Sequence, residues 1–414
     1  MTTDLLPKTR RLISGSACPR ELSDFADWLL SEGYTAAPIH IHLIYLDQAL
    51  ARLDRPHDPT PRDVAEVERA FDPGGGPPTR RQLFRGTRRA YVRFLRARAR
   101  LIEQQQPEDR FASLRREYDQ YLVELRGFSA SARSHHSHTT ADFLSSSVGP
   151  RGVSALTRRD VEAFVVLRGR EISRHSMQHE VGQLRSFLRF CYDRGYVKSR
   201  LDQTIDTPRT YRGELLPRAL AWRTVQALLA SIDRASKAGW RDYCILHLIA
   251  HYGLRPSEVV SLRLDSIDWE RCILSVVQRK TRSALTLPLA PATIRMLSQY
   301  LAVERDRQGS THAELFLRAR CPNGPLLRTA VGDIFEKRMR AAKLGTTSDA
   351  YSLRHAFAMR LLERGVGVKV IGDLLGHRSI DTTCTYLRLN KEALRGVALD
   401  VPRSTRSGGR HAHA

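Results

Sequence analysis

SLRLDSIDWERCILSVVQRKTRSALTLPLAP, residues 261–291, sets β-branched and aliphatic runs around two turns, Asp268–Arg271 and Thr281–Ala284. Short apolar runs bounded by turn residues read as strands, and three in succession read as an antiparallel meander. On both sides the apolar period becomes helical. AWRTVQALLASID (221–233) and DYCILHLIAHYG (242–253) precede it, the second stopped by Gly253. PATIRMLSQYLAVERD, VGDIFEKRMRAAK, SLRHAFAMRLLERG, VKVIGDLLGH and DTTCTYLRL follow within 291–389. The expected fold class is mainly α and multidomain, with an α-rich domain holding one small three-stranded antiparallel sheet.

The chain around this stretch is long, at 414 residues, enough for two or three domains with cores of their own. With 42% hydrophobic and 27% charged residues it excludes wholesale disorder, collagen-like and coiled-coil organisation. Lys and Arg number 67 against 44 Asp and Glu, a formal charge of +23, which points to a polyanionic partner, nucleic acid first. No uncharged apolar run approaches the roughly 20 residues that span a bilayer. The start MTTDLLPKTRR lacks the apolar core of a signal peptide, so a cytoplasmic chain with no membrane partner is expected. The six cysteines are scattered without a CxxC pair, and His135, His136 and His138 have no carboxylate or cysteine partners at ligand spacing. No metal and no cofactor is expected.

Composition breaks divide the chain. DPGGGPPTRR (72–81) is a glycine–proline loop, IEQQQPEDR (102–110) a polar linker, and TPRTYRGELLPR (207–218) a basic stretch ahead of a new helical pattern. The resulting division is 1–105, an extra N-terminal helical region; 106–212, a second helical module; 213–401, the domain with the sheet; and 402–414, a disordered basic tail. The first two pieces resemble each other. Phe25, Trp28 and Leu29 answer Tyr118, Tyr121 and Leu122; Thr60-Pro-Arg-Asp-Val64 answers Thr157-Arg-Arg-Asp-Val161; Phe94-Leu95-Arg96 answers Phe187-Leu188-Arg189. The offsets stay within 93–97 residues, as in two copies of one module. Arginines from Arg80 to Arg100 stand beside Tyr91 and Phe94, as on a helix with one core face and one phosphate-facing side.

Four segments of 213–401 carry chemistry together: Gly253-Leu-Arg-Pro-Ser-Glu-Val259, Lys280 ahead of Leu285-Thr-Leu-Pro-Leu289, Leu353-Arg354-His355, and Leu374-Leu-Gly-His-Arg-Ser-Ile-Asp-Thr-Thr-Cys-Thr-Tyr386. They resemble the signature of the tyrosine recombinase (phage integrase) family. Lys280 lies eight residues before Pro288, His377 lies 23 after Arg354, and Tyr386 nine after His377, as in that family. The likeness is strong over roughly 220–390, weak over 110–210, where it implies a helical DNA-clamping domain, and covers no motif in 1–105.

The physical requirements of phosphodiester exchange suit these residue types. The attacked phosphate gains charge on its nonbridging oxygens, which calls for fixed cationic hydrogen-bond donors. Guanidinium stays charged and presents a bidentate fork, and the resemblance makes Arg255 and Arg354 that pair. Only eight of the 67 basic residues are lysines, and an ammonium can release a proton to a leaving oxygen where guanidinium cannot. The resemblance gives Lys280 this general-acid role. It makes Tyr386 the nucleophile that forms a 3′-phosphotyrosyl link, and His377 a phosphate holder or the group that orients and deprotonates Tyr386. Covalent storage of the bond energy removes any need for ATP, cofactor or metal.

One position departs. The family's usual histidine three residues before the second arginine is here Tyr351, whose hydroxyl donates a hydrogen bond but, with a pKa near 10, is a poor proton shuttle. Activity is expected to persist; His355, one residue beyond Arg354, should turn elsewhere and pack. The implied partner is double-stranded DNA, bound by a homo-tetramer or a hetero-assembly with related recombinases. The reading is thus a site-specific recombinase or integrase of a mobile element. A catalytically silent DNA-binding accessory protein, a type IB topoisomerase-like enzyme and a plain basic RNA-binding protein, for which the sequence shows no aromatic-rich sheet motif, are the alternatives.

Overall fold

A computed structural model describes residues 5–53, 61–75, 77–102, 110–148, 151–207, 209, 218–278, 283–305, 311–345, 348–377 and 379–389. Two compact units emerge, one formed by 1–101 with 215–414 and the other by 102–214.

The N-terminal part of the first unit holds α1 (Pro7–Gly15), α2 (Pro19–Ser31), α3 (Ala36–Leu50), α4 (Val64–Ala70) and α5 (Pro78–Ala97). Proline opens α1, α2 and α5, where the missing N–H costs no helical hydrogen bond. Their core gathers Phe25, Leu29, Leu43, Leu46, Phe84, Tyr91 and Phe94.

The second unit holds α6 (Ala112–Glu124), α7 (Ala130–Phe143), α8 (Arg158–Glu171) and α9 (Arg174–Asp193). Ser129, Thr157 and Ser173 cap the last three with side-chain oxygens, and Thr157 with Asp160 closes a reciprocal capping box. Tyr118, Leu122, Phe143, Val161, Phe187 and Phe190 are buried together.

The ring contacts amend one pairing read from sequence. Phe94 meets both Phe25 and Trp28, at 5.4 and 5.8 Å between centroids, and Phe190 meets both of their counterparts, Tyr118 and Tyr121, at 5.2 Å, while Phe187 stands edge-on to Tyr118 at 5.1 Å as Tyr91 does to Phe25 at 5.6 Å. The equivalent of Phe94 is therefore Phe190. A slip of three residues turns a helix by only about 60°, so two aromatics three apart offer the same letters on nearly the same face.

The remainder of the first unit runs α10 (Trp222–Ala230), α11 (Gly239–Tyr252), α12 (Pro256–Val259), β1 (Ile267–Asp268), β2 (Ile273–Gln278), β3 (Ser283–Pro288), α13 (Pro291–Tyr300), α14 (Arg328–Ala341), α15 (Tyr351–Glu363), α16 (Val368–Leu375) and α17 (Ile380–Cys384). It then makes a 3₁₀ turn, Thr385–Leu389. The sheet has the order β1–β2–β3, antiparallel throughout, with Leu274 opposite Leu287 and Val276 opposite Leu285. Leu274, Val276 and Gln278 face inward while Ser275 and Val277 face out, the period of two expected of a half-buried strand. Of the expected second turn, Thr281–Ala284, the first two residues lie outside those described, while Ser283 and Ala284 already belong to β3, paired with Gln278 and Val277. Helix α11 buries Cys244, Ile245, Leu246, Leu248, Ile249 and Ala250 on all sides and is the central rod of this core. The fold is mainly helical, with the small three-stranded antiparallel sheet that the sequence predicts and a further sheet of two two-residue strands, Arg62–Asp63 and Leu101–Ile102.

Candidate active site

Two helix ends build the site. α11 stops at Gly253, with φ +65°, and a Cβ there would lie 2.6 Å from Cδ1 of Phe357, so both the left-handed backbone and the close packing require glycine. α16 stops at Gly376, with φ +61°, where a Cβ would collide with the Gln278 side chain at the end of β2. The last carbonyls of a helix lack intrahelical donors and carry the negative end of its dipole. Here arginines fill that need. Arg354, buried on α15, donates from Nη1 to the Gly253 carbonyl and from Nη2 to the Leu375 carbonyl at 2.6 Å. Arg255 donates from Nη2 to the Gly376 carbonyl at 3.1 Å. Both guanidiniums are thus anchored before any phosphate arrives.

A buried carboxylate organises the pair. Glu258 accepts the Arg255 backbone N–H at 2.8 Å and its Nη1 at 2.5 Å, and lies 3.9 Å from Nη1 of Arg354. One carboxylate against two guanidiniums leaves one positive charge uncompensated, a deficit suited to an anion. Burial and the neighbouring Arg255 charge pull Arg354 down to about 10, still fully protonated at neutral pH.

His377 follows Gly376. Its Nε2 lies 3.4 Å from Nη2 of Arg354 and its Nδ1 2.8 Å from Oγ1 of Thr383. Arginine only donates, so Nε2 accepts and Nδ1–H donates to Thr383, which sets the tautomer. Burial, with the charges of Arg354 and Arg255, lowers His377 to about 4, so the ring is neutral at pH 7.

Tyr386 lies in the closing 3₁₀ turn, 3% exposed, packed with Ala358, Ile371 and Leu375. Its hydroxyl is 2.8 Å from Nδ1 of His355. Burial raises its pKa, opposed by the Arg354 and Arg255 charges, so the phenol is protonated at neutral pH and requires a proton acceptor to attack. His355 is itself lowered by burial and by Arg354, hence neutral.

The expectation that His355 turns away and packs is therefore overturned. Successive helix residues are about 100° apart, and the turn carrying Tyr386 packs along the flank of α15, where His355 can reach it while Arg354 reaches the two helix ends. Tyr351 stands at the start of α15, 41% exposed, one turn ahead of Arg354. Lys280 falls outside the described residues. Of the predicted site residues, then, Arg255, Arg354, His377 and Tyr386 come together, and Tyr351 borders them. Glu258 was not singled out from the sequence, although an acid three residues after the N-cap Arg255 of a proline-opened helix was the signal for it; nothing in the periodicity marks His355.

A profile of the phage integrase family matches residues 218–393. Tyrosine recombinase XerD of Lacticaseibacillus casei is 32% identical over 241 residues, 57% of this chain and 80% of that protein. Tyrosine recombinase XerC of Oceanobacillus iheyensis is 30% identical over 260 residues, 62% of this chain and 83% of that one. The fold is similar to that of a XerH site-specific recombinase crystallised with its palindromic difH substrate, with TM-score 0.55, 17% identity, and 68% of this chain and 83% of that one covered. The chain belongs to the phage integrase family. It is a site-specific tyrosine recombinase. Among the described residues no helix is long and apolar enough to cross a membrane.

Proposed function

We propose that the chain cleaves and rejoins double-stranded DNA through a 3′-phosphotyrosyl intermediate, with the roles divided as follows. The Tyr386 oxygen attacks phosphorus as its phenolic proton passes to His355; the P–O5′ bond breaks, and the leaving oxygen takes a proton from Lys280. Arg255 and Arg354, held by the helix-end carbonyls and Glu258, receive the nonbridging oxygens, with the neutral His377 beside them as a further donor once its proton moves from Nδ1 to Nε2. Tyr351 contributes a hydroxyl to the same phosphate. The reverse sequence religates a 5′-hydroxyl, and no metal, ATP or cofactor enters because the tyrosyl ester conserves the bond energy. Protomers exchange strands as a tetramer, alone or with related recombinases, in the cytoplasm and in the service of a mobile element. The observation that carries this reading is the placement of Tyr386 and His355 beside two guanidiniums whose charge one carboxylate cannot cancel.

The test is a nicked suicide duplex from the ends of the chain's own gene, in EDTA, scored for a covalent protein–DNA band on a denaturing gel. Tyr386→Phe is expected to abolish the band, and His355→Ala to slow its appearance by 10²–10⁴-fold, as loss of a general base does. A covalent band that survives Tyr386→Phe overturns the nucleophile; an unchanged rate in His355→Ala overturns the proton route. Specific DNA binding without any band would favour the silent accessory reading, and Tyr351→His would then show whether that departure had stopped the chemistry.

A further inference from the structure

His377 holds its proton on the nitrogen that points away from the phosphate site. Nε2 accepts from Nη2 of Arg354 at 3.4 Å, and Nδ1–H donates to Oγ1 of Thr383 at 2.8 Å. A phosphate oxygen that takes the Arg354 donor is itself an acceptor, so it meets the Nε2 lone pair where it needs a proton. The neutral ring can help only as the other tautomer, with Nε2–H toward the phosphate and a bare Nδ1 lone pair toward Thr383. That lone pair then requires a donor.

Thr383 is built to supply it. It lies on α17, 1% exposed, so bulk water is kept from its hydroxyl. α16 closes over it: Gly372 is buried, and a Cβ there would lie 3.0 Å from Oγ1, so the absence of a side chain lets the two helices approach around the hydroxyl. The Gly372 carbonyl also accepts the His377 backbone N–H at 2.9 Å, and one turn of helix thus fixes both the hydroxyl and the backbone of the ring it meets. A hydroxyl carries one proton and two lone pairs, so Thr383 can accept from Nδ1–H or donate to bare Nδ1 by rotation about its C–O bond, with no heavy atom moved. Valine has the same shape and can do neither. Because Thr383 precedes Tyr386 by three residues, a purely structural role would act on the nucleophile instead of on His377, and the two roles are separable.

We propose that Thr383 is the positioning residue of His377: its hydroxyl accepts from Nδ1–H before the phosphate binds and donates to Nδ1 afterwards, which holds Nε2–H toward a nonbridging oxygen. Water supplies the proton that Nε2 takes up and receives the one that Nδ1 gives up, so the ring stays neutral and no net proton is consumed. The inference rests on the role given to His377 above. Its test uses the full chain, the nicked duplex and the rate at which the covalent band forms. Thr383→Val is expected to slow the band by about 10–100-fold, the usual effect of leaving a buried polar atom unpaired, and Thr383→Ser to restore it to within about threefold. An equal loss in Thr383→Ser overturns the proposal. In a His377→Ala background Thr383→Val is expected to add nothing, because the hydroxyl acts only through the ring. A full further loss there assigns Thr383 to the support of Tyr386 and overturns the proposal while the role of His377 stands. An unchanged rate in His377→Ala alone overturns that role and the proposal with it. Should Thr383→Val fail to fold by circular dichroism, nuclear magnetic resonance of isotope-labelled histidine reads the ring directly in Tyr386→Phe, which binds the duplex without cleaving it. The His377 proton is expected to move from Nδ1 to Nε2 when the duplex is added, and a proton that stays on Nδ1 overturns the proposal.

Discussion

Helices α2–α5 and α6–α9 are built on one plan and present opposite chemistry at one helix face. In each, four rings interlock: Phe25, Trp28, Tyr91 and Phe94 in the first, Tyr118, Tyr121, Phe187 and Phe190 in the second. Phe25 and Trp28 stack at 14° between planes, Tyr118 and Tyr121 at 18°; Tyr91 and Phe94 stack at 28°, Phe187 and Phe190 at 29°. A third pair follows in each, Tyr34 with His42 and Phe128 with His136. The terminal turns agree too. Arg98, Ala99 and Arg100 donate to the carbonyls of Phe94, Arg96 and Leu95, and Arg194, Gly195 and Tyr196 to those of Phe190, Tyr192 and Cys191.

With that register, Arg81, Arg85 and Arg88 of α5 correspond to Met177, Val181 and Leu184 of α9, which are at most 3% exposed. The same helix face is a solvent-facing basic surface in one module and core in the other. The accompanying helices differ in length: α4 has 7 residues and its counterpart α8 has 14. A shared aromatic cluster suffices to hold four helices together, so the opposite face of the last helix is released for a different use.

The comparison breaks most visibly by exchange of its unlike residues. Leu184→Arg, which gives α9 the residue of α5, should destabilise the 102–214 unit by at least about 4 kcal/mol because it buries an unpaired charge, while Arg88→Leu should cost under about 1 kcal/mol. Hydrogen exchange of α6–α9 and of α2–α5 reads each separately, and equal effects would refute the register. The shared cluster makes the next prediction. Phe94→Ala and Phe190→Ala should each cost about 3–5 kcal/mol in the same measurement, and a difference above about 2 kcal/mol would show that the two clusters do unequal work.

Acid should weaken both modules in step. Burial lowers His42 to about 4 and lowers His136 as well, so the folded chain keeps them neutral while the unfolded chain binds protons from about 6.5 downward. The stabilising contribution is whole above pH 6.5 and is lost as the pH falls toward 4. Melting temperature measured from pH 7 to 4.5 should fall, and His42→Gln should flatten its share of that fall. The smallest effect concerns the terminal turns. Gly195 has φ +75°, and Gly195→Ala should cost about 1 kcal/mol, whereas Ala99, already at φ +51°, should tolerate Ala99→Gly with little change in melting temperature.

Much of this was legible before any coordinates. The strand at 273–278 shows its inward face through alternation, and Gly253 marks the end of α11 because a helix stop followed by Arg-Pro has few other readings. Arg255, Arg354, His377 and Tyr386 were legible through their resemblance, in motif and spacing, to the tyrosine recombinase signature. The proton partner of Tyr386 was not, since His355 acquires it from a turn that arrives 31 residues later. The true partner of Phe94 was equally hidden, because aromatics at 187 and 190 satisfy one helical face.

The sequence by itself determined the periods, the helix stops and the set of groups able to exchange a phosphodiester, since each depends on residue type and local spacing. Tertiary structure alone decided that the carbonyl ends of α11 and α16 would converge on Arg354 and that Tyr386 would meet His355. Those outcomes depend on which distant surfaces pack together, and packing is set by the volume and shape of whole cores, which no local pattern encodes.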